Sequence, residues 1–193
     1  MNEITKEQRM EDFRGIMSLS FLPQTYEYWL ELLDRMGFFT APASTKYHGA
    51  YEGGLYDHSE NVTRALLGLT EREHLTWERA ESPLIVGMFH DLCKCDQYRH
   101  PLMEIYADDK QFPDVEKWEY NPDMLLKGHG DKSVMIASTL LTLTEEELLC
   151  IRWHMGAFDE KENWNGYTRA IHKYPNVLWT HTADMIAAHI KEV

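Results

Sequence analysis

Cysteine is scarce in this 193-residue chain. Cys93, Cys95 and Cys150 form an odd set without a framework pattern, and Cys93 and Cys95 stand too close together for ordinary zinc-ligand spacing. Reduced, partly buried thiols are the expectation. No Pro/Gly/Ser-rich linker interrupts the sequence, so residues 1–193 read as one domain, with the N-terminal helices of residues 1–46 packed on its core. No apolar run approaches the length of a membrane span, and residues 1–6 lack the apolar region of a signal peptide. A cytoplasmic protein without a membrane partner is expected. Basic residues are in deficit, 19 Lys plus Arg against 32 Asp plus Glu, for a formal net charge of −13. A long nucleic acid needs cationic side chains to neutralise its phosphates, so none is expected as a partner. A small anionic substrate stays compatible, because bound cations reverse the local field. There is no internal repeat and no low-complexity segment.

Hydrophobic residues make up 44% and aromatics 12%, enough for an ordered core. Helical periodicity dominates, and the fold class expected is all-α. Residues 5–19 and 24–36 read as amphipathic helices, the second carrying Tyr26, Trp29, Leu30, Leu33 and Met36 and ending at Gly37. These two pack over the site or form a subunit contact, and a homo-oligomer is compatible with either. A Gly-rich loop at residues 47–56 leads into a helix near residues 57–69, whose core face is Val62, Ala65, Leu66 and Leu69. Residues 71–81 are charged and read as solvated. Ser82-Pro83 then begins a central helix, with Ser82 as its N-cap. Residues 96–128 read as a long loop with room for a short hairpin, either a lid or specificity element or a variable solvated insertion. Thr144 and Glu147 make a capping box for a helix running to His154, with Gly156 as its stop. Further helices cover residues 164–174, closed by Pro175, and residues 176–191.

Ten histidines are a high share beside so few lysines and arginines, and their placement is informative. The central stretch Leu84-Ile85-Val86-Gly87-Met88-Phe89-His90-Asp91-Leu92-Cys93-Lys94 sets an adjacent His-Asp pair in an apolar helix. Burying such a pair is costly unless a charge or hydrogen bond receives it. His58 lies on the core face of the helix before it. His129 opens one helix and His154 closes the next, so an antiparallel arrangement brings both to one end of the bundle. Asp184 lies on a mixed apolar stripe with Val177, His181 and Ala188 and needs a cation or good donors. Imidazoles and carboxylates together suit Fe, Mn, Co, Ni or Zn better than Mg alone, though carboxylates also accept Mg. No single local interval recurs among these residues, so spacing alone does not identify a site.

In order, His58, His90-Asp91, His129, His154 and Asp184 make the pattern H…HD…H…H…D, and over roughly residues 47–190 the chain resembles the HD superfamily of metal-dependent phosphohydrolases. The resemblance implies an HD-domain helical bundle in which His58, His90, Asp91 and Asp184 form the core metal site. His129 and His154 resemble those of members carrying a second metal, with Asp91 bridging the pair. The Gly-Tyr-Pro signature of the diguanylate-specific branch is missing. The implied activity is hydrolysis of a phosphate ester or anhydride of a nucleotide or other small phosphorylated metabolite, by water activated at Asp91 and its metal. Lys94 either binds a non-bridging phosphate oxygen or helps the leaving group, or is a charge partner of Asp91 or Asp96. His48 orients a ligand or faces substrate, unless it is an ordinary loop residue. His181 is an alternative ligand. Arg152, Trp153 and Trp164 are candidates for nucleotide contact, with core packing the cheaper account of the tryptophans. Competing readings are a phosphodiesterase on cyclic or short oligonucleotides, a metal-stabilised sensor or interaction domain, and a di-iron oxygenase.

Overall fold

Thr5 and Gln8 close the first helix reciprocally in the computed structural model, which describes residues 4–100 and 118–191. The Gln8 amide donates to the Thr5 hydroxyl at 3.2 Å and the Thr5 amide to the Gln8 side chain at 2.8 Å. This helix, α1 (Lys6–Met17), buries Phe13, Ile16 and Met17, and α2 (Pro23–Arg35) buries Trp29, Leu30 and Leu33. Both match the predicted spans to within two residues. They join the rest through aromatic edges: Phe13 meets Phe39 at 5.8 Å, and Trp29 meets Phe89 at 5.6 Å while donating from Nε1 to the Leu140 carbonyl.

Helix α3 (Gly54–Arg72) begins three residues before the predicted start, because Leu55 and Tyr56 are already buried helical residues. Arg9 of α1 anchors its first turn with two 2.8 Å bonds to the Asp57 carboxylate. Helix α4 (Ser82–Phe89) is buried at every position. Two expectations change here. Ser82 is the first helical residue, not the cap, and its hydroxyl donates to Glu147 Oε1 at 2.8 Å. The helix also stops at Phe89, with a 3₁₀ turn over Leu92–Cys95, so the His-Asp pair sits in a break between two helical segments. Arg79, from the stretch read as solvated, reaches the same buried Glu147 with bonds of 2.7 and 2.6 Å.

The long loop carries a hairpin base, β1 (Tyr98–Arg99) antiparallel to β2 (Glu119–Tyr120), with Tyr98 opposite Tyr120. The part expected to serve as a lid, including Asp108-Asp109 and Phe112-Pro113, lies outside the described residues. Helices α5 (His129–Leu140) and α6 (Glu145–Trp153) follow, and the Thr144–Glu147 capping box forms as read. Helices α7 (Trp164–Lys173) and α8 (Asn176–Ile186) complete the bundle, α8 passing into a π-turn over Ala187–Lys191. Helix α3 packs on α4 and α8, α6 on α5 and α8, so α8 bridges the two halves. The fold is all-α apart from the small hairpin. Among the described residues, no helix is long and apolar enough to cross a membrane.

Candidate metal centre

Two close approaches bring the histidines together, and each requires a glycine. A Cβ on Gly87 would lie 2.5 Å from Thr63 Cα, so only glycine lets α4 run this near to α3. His58 and His90 thereby face each other, their Nε2 atoms 3.3 Å apart. A Cβ on Gly130 would lie 2.0 Å from the Arg152 carbonyl oxygen, so α5 crosses the end of α6 in backbone contact. That crossing sets the rings of His129 and His154 at 5.2 Å.

Asp91 stands between the two pairs and is 2% exposed. Its Oδ1 lies 2.7 Å from His129 Nε2 and 3.4 Å from His154 Nε2. Its Oδ2 lies 3.4 Å from His90 Nε2, 3.5 Å from His58 Nε2 and 2.7 Å from Lys94 Nζ. Asp184, from α8, approaches His58 Nε2 at 3.1 Å. Three overlapping groups have donor atoms mutually close enough for an ion: His58, His90 and Asp91; His90, His154 and Asp184; Asp91, His129 and His154.

The donor chemistry fits cations. His90 Nδ1 donates to the Gly87 carbonyl at 2.8 Å and His154 Nδ1 to the Ile151 carbonyl at 2.7 Å. Carbonyls only accept, so both rings carry their proton on Nδ1 and turn the Nε2 lone pair inward. His154 Nε2 is buried and makes no hydrogen bond among the described residues. Such an orphaned acceptor in a carboxylate-lined centre is costly without an electrophile to receive it.

The electrostatics agree. Burial works to raise Asp91, but Lys94, His90 and His129 outweigh it and hold the carboxyl well below its ordinary value. Burial likewise works to raise Asp184, but the hydrogen bond with His58 and the neighbouring imidazoles leave it lowered. Burial lowers His129, yet Cys93 and Asp91 raise it on balance to about 9. Lys94 is raised despite its burial, chiefly by Asp91.

A cavity of about 750 Å³ opens beside the cluster, a size suited to a small organic ligand. Asp91, Lys94, His129 and Asp184 form its floor, with His48, Tyr98, Tyr120 and Phe158 among its walls. Lys94 is the charge partner of Asp91, and it also lines the cavity. His48 also lines the cavity, its ring centroid 4.9 Å from that of His58. Arg152 is not brought there. It pairs with Asp131 and Asp159, each at 2.5 Å, and covers the Trp153 ring at 4.1 Å. His181, the alternative ligand, uses Nδ1 on the His154 carbonyl at 2.7 Å and joins none of the ligand groups.

Several residues of the site escaped the sequence reading. Lys132 is buried and binds Asp96, and Ser133 accepts from the Cys93 amide at 3.1 Å, so α5 holds the turn that follows Asp91. His189 and Met185 line the cavity from the end of α8. The π-turn presents His189 there, and no helical periodicity in the sequence marks a π-turn.

Comparison with known protein families, curated proteins and solved structures finds no match to this chain. The likeness to the HD pattern rests on the residues themselves, and a helical protein that clusters His58, His90, Asp91 and His154 is compatible with it.

Proposed function

We propose that the chain is a metal-dependent phosphohydrolase acting on a nucleotide or another small phosphorylated metabolite. The observation that carries this reading is the division of Asp91, which offers one carboxylate oxygen to His129 and His154 and the other to His58 and His90. That division suits two cations sharing one carboxylate, with Asp184 completing the set. Fe, Mn, Co, Ni and Zn match the mixed imidazole and carboxylate donors. A bound cation of this kind lowers the pKa of a water and offsets charge on phosphoryl oxygens.

The chain's own contribution is placement. Lys94, on the cavity floor beside Asp91, is set to hold a phosphoryl oxygen with its ammonium. Asp91 and Asp184 stay ionised, so they remain acceptors throughout. Tyr98, Tyr120 and Phe158 supply apolar faces for the organic part of a substrate.

The test is elemental analysis of untagged protein after reconstitution with Mn²⁺, followed by assays with 4-nitrophenyl phosphate, bis(4-nitrophenyl) phosphate and nucleotides. Bound metal and hydrolysis lost in Asp91→Ala are expected. Failure to retain any metal, or full activity in folded Asp91→Ala, overturns the proposal.

A further inference from the structure

His181 belongs to none of the ligand groups, yet it is bonded to the main chain of one candidate ligand. Its Nδ1 donates to the main-chain carbonyl of His154 at 2.7 Å. That carbonyl stands at the end of α6, where helical partners run out and another donor must be found. The donor comes from α8, and three residues further along the same helix is Asp184. His154 and Asp184 belong with His90 to one of the ligand groups.

The chain beyond His154 is shaped to the His181 ring. Gly156 has φ +55°, and a Cβ there would lie 2.8 Å from each of three ring atoms. Tyr167 of α7 meets the ring edge-on at 6.4 Å. Held on these sides, the imidazole connects the end of one ligand-bearing helix to the body of another. The His154 side chain is already oriented by its own Nδ1 bond to Ile151. The His181 bond ties that helix end to α8, along which α6 already packs.

We infer that His181 is a positioning residue, whose Nδ1–H on the His154 carbonyl keeps His154 and Asp184 in register to hold the same cation. The inference rests on the metal-centre reading above. It differs from direct ligation, because His181 belongs to none of the ligand groups and its Nδ1 is engaged by a carbonyl.

The experiment compares His181→Leu with His181→Asn. The two side chains have nearly the same shape, but Asn Nδ2 occupies the place of His Nδ1 and can donate. Mn²⁺ affinity is read by competition with a chelating dye, and thermal midpoints are read in excess chelator. The Leu variant is expected to bind Mn²⁺ at least about tenfold more weakly than wild type, with Asn recovering most of the loss. A packing role alone would weaken both variants alike, since both lose the ring against Gly156. Equal affinities in the two therefore overturn the inference. Should the Leu variant not fold, His181→Phe takes its place, retaining a ring without a donor, and wild-type affinity there overturns the inference equally. Wild-type protein that binds no Mn²⁺ would instead overturn the metal-centre reading, so the two failures are distinct.

Discussion

Lys94 Nζ lies 2.7 Å from Asp91 Oδ2, on the oxygen that also faces His58 and His90. In the absence of a cation the ammonium offsets the charge of Asp91, a buried carboxylate that needs such a partner. A cation taken up by Asp91 must compete with it.

Replacing Lys94 with Met therefore has opposite effects on binding and turnover. Metal affinity, read by dye competition, is expected to stay level or rise as the competitor is removed. Hydrolysis is expected to fall by about tenfold or more in kcat/KM, corresponding to about 1.4 kcal/mol of lost transition-state stabilisation. Unchanged turnover would leave Lys94 as a charge partner only.

Metal uptake should release a proton from His129. Cys93 and Asp91, working against burial, raise this imidazole to about 9 in the metal-free protein. Near pH 7 it is charged, and it must become neutral before Nε2 can act as a ligand. Affinity is thus expected to rise by about tenfold per pH unit towards pH 9 and then to level off. Calorimetry in two buffers of different ionisation enthalpy counts the proton directly. The raised value has a second consequence, for the metal-free fold. His129 contributes stability there that is complete below its unfolded value near 6.5 and is lost as pH rises through about 9. A metal affinity independent of pH between 6 and 8 would remove His129 from the ligand set.

Gly87→Ala and Gly130→Ala should damage different halves of the centre. The added methyl meets Thr63 Cα at 2.5 Å in one case and the Arg152 carbonyl at 2.0 Å in the other. Both obstacles are main chain, so no rotamer change relieves them, and a loss of about 1–3 kcal/mol is expected from each. Gly87→Ala parts His58 from His90, whereas Gly130→Ala parts His129 from His154 and should retain one ion by elemental analysis. Gly15→Ala is the control. Nothing lies within 4 Å of its Cβ position on α1, so the change should stabilise by about 0.5–1 kcal/mol. Two ions retained in folded Gly130→Ala would count against the backbone crossing as the organiser of that pair.

Those glycines mark where the sequence stopped being legible. The Thr144 capping box was readable because its partners lie three residues apart. The convergence of His129 and His154 was readable because two antiparallel helices fix which ends meet. Gly130 was not, because its value lies in a carbonyl two residues before His154, on another helix. The break at His90 was hidden for a similar reason. Apolar spacing continues through Leu92, while the observed chain turns at Asp91, where the His90 ring takes the Gly87 carbonyl and α5 grips the following turn through Ser133. Arg152 misled in the other direction. Its helix was placed correctly, but its partners Asp131 and Asp159 come from outside that helix and draw the guanidinium to them.

Tyr120 offers the most direct measure of whether the cavity receives substrate. It is 64% exposed on β2, its ring 5.2 Å from that of Tyr98, and both line the cavity above Asp91. An exposed ring contributes little to folding, so Tyr120→Ala is expected to leave thermal stability within about 0.5 kcal/mol of wild type. A ring that only packs on the organic part of a substrate contributes equally before and during the reaction. Uniform binding of that kind appears in KM and not in kcat. For an aromatic phosphate ester, KM should therefore rise about threefold to tenfold, the loss of roughly one ring contact, with kcat nearly unchanged. A substrate with no aromatic group should respond less. Should kcat fall while KM stays constant, the ring acts on the reacting centre, and a role in uniform binding is overturned.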